Sequence, residues 1–246
     1  MRLIEEAWGD LKRNQASLFL YVGLVLAVVV TARLGQVFLG AQIIDGEAPT
    51  WAPLFSFFLD LCSVAAYSVV IAIIFARIGE EIDRPLWKFQ GVGDSLKRFF
   101  LPWLIINLLM STTVDLLNRA GIAGNDELVI LLTFFVFSGF LFAFPVGTCI
   151  MHHGRLDWGE LPVALAPIVR LFVQVLPVLF VGFMQFVLVL IIPMLSGELT
   201  LQSVGKYAIL DAVAAVLDCL IFAMMWRVCI RYRNYEADDE GDYFDF

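Results

Sequence analysis

Five ionisable side chains interrupt long apolar runs: Arg33, Asp60, Asp115, Asp211 and Asp218. Inside a bilayer such groups are costly unless they are paired or wetted, so each is a functional candidate by default. Four of them fall in the outer part of their runs, and Asp218 lies deeper. The set suits one of two chemistries, a polar pocket or ion path facing outward, or a structural cluster of ion pairs. Asp211 and Asp218 are seven residues apart and share one helical face. Arg33 is placed to pair with Asp60 or Asp115 from neighbouring segments.

Other motifs carry less. Gly91-Val92-Gly93-Asp94 spells the GxGD of intramembrane aspartyl proteases, whose chemistry needs two facing carboxylates sharing a proton. Asp94, however, lies in a charged connection, where it reads as an acid at a helix N-terminus. His152 and His153 are adjacent and point in different directions on a helix, which suits interfacial polar residues better than a shared metal. Cys62, Cys149, Cys219 and Cys229 lack CxxC spacing and read as small apolar packing residues. There is no HExxH, GxSxG, Walker A loop or dinucleotide fingerprint. The sequence therefore predicts no catalytic residues, no metal and no cofactor.

The elements that position these groups are membrane spans. The chain of 246 residues is 61% hydrophobic and 16% charged, with a mean hydropathy of +0.86. Water-soluble domains are about half apolar and a quarter charged. That excess rules out a soluble enzyme or a disordered chain, and the net charge of −8 argues against a nucleic-acid partner. Apolar runs at 17–39, 53–78, 99–117, 128–151, 171–195 and 208–230 are each about as long as a bilayer crossing requires. They are continuously apolar, which predicts helices and an all-α bundle of six spans rather than a barrel. Pro177 and Gly182 make the fifth span the best candidate for a broken helix.

Thirteen Lys and Arg fall on the side of the termini, against Arg33, Arg119 and Lys206 on the other. The positive-inside rule then places both termini in the cytoplasm. All six Trp fall at or just beyond span ends, where indoles favour the interface. Segments entering spans one, three and five resemble one another: Ala7–Arg13, Gly91–Arg98 and Asp157–Leu161 each carry Gly, or Trp-Gly, followed by an acid. The expected unit is an interfacial helix and a hairpin of two spans, used three times in one orientation.

The opening Asn14-Gln15, then Phe144-Pro145, and the stretch from Trp158 through Arg170 resemble the YciC-like family of bacterial inner-membrane proteins. That resemblance implies a six-span fold in a bacterial inner membrane and supplies no catalytic residues. The chain divides into a membrane domain, 1–233, and a tail, 234–246, with six acids among its last eleven residues. Such a tail is expected to be solvated, but Tyr243, Phe244 and Phe246 suit docking to a partner. The function expected from these features is a non-catalytic subunit packing against other membrane proteins in the lipid bilayer. The alternative is a transporter of small solutes or lipids using the intramembrane aspartates.

Overall fold

The computed structural model describes residues 2–42, 49–84, 88, 90–122, 124, 126–154, 158–196 and 201–241. Helices account for most of them, with no strand among the described residues. In chain order they are α1 (Arg2–Arg13), α2 (Gln15–Ala41), α3 (Ala52–Ile82), α4 (Val92–Ile122), α5 (Asp126–His153), α6 (Leu161–Ala164), α7 (Ala166–Arg170), α8 (Phe172–Ser196) and α9 (Leu201–Gly241). Six of these, α2, α3, α4, α5, α8 and α9, are long and apolar enough to cross a membrane. Pro102 and Pro145 lie inside α4 and α5. A chain in lipid has no water to satisfy alternative backbone geometry, so the helix persists through them.

Each spanning helix packs on its neighbours in chain order, and α9 returns to α2, so the six close into a ring. Ion pairs fix which ends meet. Glu6 and Asp10 of α1 bond to Arg231 and Arg227 near the end of α9. Asp83, just beyond α3, bonds to Arg233 and lies 3.8 Å from His152 at the end of α5. The described N-terminal segment and the C-terminal ends of α3, α5 and α9 therefore share one end of the bundle, called here the terminal end.

Between the spans that end is filled by aromatic rings, and a cavity of about 330 Å³ lies beside them, lined from α5, α6, α7 and α9. Phe75 stacks on Phe222 at 4.3 Å between ring centroids, Tyr21 and Trp103 close on Phe75, and Trp226 lies against Phe222 and His152. Glycines make room for the two indoles. A Cβ at Gly79 would come within 2.6 Å of the Trp226 ring, and one at Gly147 within 2.4 Å of the Trp103 ring. Trp8, Trp51 and Trp158 are exposed, as interfacial indoles should be, but Trp103 and Trp226 are fully buried. Those two are core residues, a correction to the expected aromatic belt; Trp87 lies outside the described residues.

The three segments expected to form interfacial helices differ in structure. The first is a separate amphipathic helix, α1, whose Leu3, Ala7 and Leu11 are buried. The second is the opening of α4, continuous with its span. The third becomes two short helices, α6 and α7, interrupted at Leu165 and Leu171. The expected break in the fifth span is absent, because α8 runs unbroken through Pro177 and Gly182. Gly182 faces α5, where an added Cβ would stand 3.7 Å from Leu141 Cα, an ordinary contact distance. At the C-terminus, α9 stays helical to Gly241, so the start of the acidic tail is an extension of the last span. Tyr243, Phe244 and Phe246 lie outside the described residues.

The orientation read from Lys and Arg can be checked with a chain in which Cys62, the exposed cysteine, is replaced by serine. A Thr50→Cys variant is expected to react with an impermeant maleimide added outside right-side-out vesicles. A Lys88→Cys variant should react only after lysis, and the opposite pattern would invert the topology.

Candidate functional site

The far half of the ring is hollow. A cavity of about 550 Å³ lies on its axis, within the range of small-molecule sites. All six spanning helices line it. The contributions include Val29 and Arg33 from α2, Tyr67 from α3, Asn107 from α4, Phe140 from α5, Gln185 from α8 and Asp211 from α9. The walls are mostly Val, Ala, Met and Phe, and the polar lining runs from Arg33, Gln36 and Asp211 through Ser63 and Ser111 to Tyr67, Asn107 and Gln185.

At the outer level Arg33 grips Asp211 through two bonds, Nη1 to Oδ2 at 2.5 Å and Nη2 to Oδ1 at 2.9 Å. The guanidinium also lies over the Tyr207 ring, 5.1 Å from its centroid. A two-pronged pair of this kind is strong where water is scarce. Its partner is thus Asp211 from the last span, not Asp60 or Asp115 as the neighbouring-span argument suggested. Asp115 pairs with Arg119 one turn along its own helix at 2.9 Å, and both are exposed. Asp60 is exposed on α3.

Two turns further along α9, at the cavity floor, Asp218 is 3% exposed. The hydroxyl of Tyr67 donates to its Oδ2 at 2.8 Å, and that of Tyr21 donates to the same oxygen at 3.0 Å. The Gln185 amide donates to Oδ1. Tyr67 and Gln185 both line the cavity, so Asp218 sits one hydrogen bond behind its surface. Ser68 accepts a bond from Asn107 at 3.0 Å at a similar depth. The five intramembrane residues therefore do not form one cluster. They divide into an outer pair, a deep acid, and two acids outside the cavity.

Attention to ionisable groups alone misses Tyr21, Tyr67, Asn107 and Gln185. A signal was present, since a hydroxyl or amide deep in a span must find a partner. The remaining motif residues stay away from the cavity. Asp94 pairs with Arg98 at 2.8 Å on its own helix. His152 and His153 diverge, His152 lying edge-on to Trp226 and His153 meeting Glu160 at 3.0 Å. Cys149 and Cys229 face each other at 3.6 Å in the terminal-end packing. Among the described residues no three His, Cys, Asp or Glu side chains converge to hold a metal.

No family model, curated protein or solved structure matches the chain. Nothing in these comparisons ties it to the YciC-like family. The six-helix membrane architecture is what the resemblance and the structure share.

Proposed function

We propose that this polytopic membrane protein binds a small solute or lipid with an apolar body in its central cavity, as a carrier or transporter does. The observation that carries this reading is the contrast between the two halves of one ring. The terminal end is filled between its spans by Trp103, Trp226, Phe75 and Phe222, and its cavity of about 330 Å³ is lined from only two spans and the short helices α6 and α7, whereas the far half keeps about 550 Å³ open to a lining from every span. Helices in lipid associate largely through close packing, and a void forfeits those contacts. A sequence selected only to hold its helices together gains nothing from such a void, but a ligand restores the contacts when it enters.

A second reading is the non-catalytic subunit of a larger membrane assembly. It is favoured by the way Arg33, Tyr21, Tyr67 and Gln185 bond to Asp211 and Asp218 from within the chain.

Mass spectrometry on gently solubilised membranes separates the two. The carrier reading expects a small organic molecule to travel with the chain at close to one per protein. That molecule should be lost from an Ala143→Trp, Ala214→Trp variant, whose indoles fill the cavity. A chain that carries no such molecule, but appears in fixed stoichiometry with other membrane proteins, supports the subunit reading.

A further inference from the structure

We infer that the cavity selects a lipophilic cation, an ammonium group on a compact apolar body. This rests on the reading of the cavity as a binding site. The first ground is charge. Arg33 and Asp211 cancel each other at the outer level. Asp218 receives three neutral donors and, among the described residues, no cation. A buried carboxylate without a counter-charge is costly even when its oxygens are hydrogen-bonded. With Asp218 ionised, the cavity and its floor carry one negative charge in excess.

The second ground is an idle acceptor. Gln185 is 5% exposed, and its Oε1, itself covered, accepts no hydrogen bond, so a ligand meets it when the side chain shifts toward the cavity that it lines. Rotating the amide would turn that oxygen onto the carboxylate, so the Asp218 bond fixes Oε1 as the free end. A buried acceptor left unmade costs the desolvation of the group. The floor therefore lacks a positive charge and an N–H donor, and an ammonium supplies both. An alcohol supplies only a donor, and a carboxylate supplies neither and is repelled. Val29, Val64 and Phe140 offer an apolar wall above the floor, which suits a hydrocarbon body and disfavours a hydrated inorganic cation.

The test uses the full chain in lipid nanodiscs and three probes sharing one hydrocarbon cage: 1-adamantylamine, 1-adamantanol and 1-adamantanecarboxylate. Equilibrium binding is measured against empty nanodiscs. The amine is expected to bind about tenfold tighter than the alcohol, the margin of a charge-assisted over a neutral hydrogen bond, and the carboxylate is expected to bind weakest. In Asp218→Asn the amine should fall to the level of the alcohol, with the alcohol unchanged. The ranking on the native chain decides the matter even where that variant does not assemble. Equal binding of amine and alcohol overturns the cation inference and leaves the cavity reading standing. A preference for the carboxylate also overturns it and moves recognition to Arg33. Binding of none of the three overturns both.

Discussion

Replacing Arg227 with methionine is expected to loosen α1 on the bundle and to lower stability by about 3 kcal/mol, the lower end of the range for breaking a buried ion pair. Asp10 is 2% exposed, and Arg227 reaches it with Nε and Nη2, both at 2.7 Å. Methionine keeps much of the aliphatic stem but leaves the carboxylate with only Arg13, whose side chain is mostly in solvent. That residual partner, and the part-exposed guanidinium of Arg227, keep the effect from the top of the range. Leu3, Ala7 and Leu11 stay apolar and still favour docking, so the loosened helix should fray rather than leave. Faster hydrogen exchange across α1, with α3 unchanged, is the measurement. Adding Asp10→Leu should recover more than half of the loss, because it removes the stranded charge. If the double variant is no better than the single one, the pair does not hold α1.

The spans were legible because the bilayer imposes a length and a composition on each one independently. Apolar runs of the required length needed no knowledge of their neighbours, and five of the six lie wholly within helices of the fold, the fifth run beginning one residue before α8. Pairings between distant residues had no such local signature. Asp10 and Arg227 are 217 positions apart, and Arg33 and Asp211 are 178 apart. Sequence proximity favoured Asp60 or Asp115 for Arg33, and ring closure between α2 and α9 decided against them. Trp226 and Trp103 misled for a related reason. Their places near span ends suited an interfacial indole, but Gly79 and Gly147 on facing helices opened slots that drew them inward. Pro177 failed as a marker of a broken helix because α8 is continuous through it. The cavity was the least legible feature, since it depends on side chains from six helices that no local pattern relates.

Shortening Trp226 to alanine is expected to cost about 3–5 kcal/mol, in the range of large aromatic deletions from packed cores. The ring is fully buried at the terminal end, between Phe222, with centroids 5.2 Å apart, and His152, at 5.1 Å. In a bilayer the loss is mainly one of packing, because the surrounding lipid is as apolar as the core. The slot opposite the ring gives a sharper test. A methyl group at Gly79 would stand 2.6 Å from one Trp226 ring carbon and 2.7 Å from another, and the atoms it meets belong to a rigid indole. Gly79→Ala should therefore destabilise the chain by about 1–3 kcal/mol, the usual penalty for overpacking. Trp226→Phe alone should also be harmful, because it leaves part of the slot empty. Combined, the two changes should cost clearly less than their sum, since the smaller ring vacates the space that the methyl group fills. The midpoint of thermal unfolding in a fixed detergent, measured on the four chains of this cycle, gives the coupling. Additive losses would mean that the indole and the glycine are not fitted to each other, and that the terminal-end plug is held elsewhere.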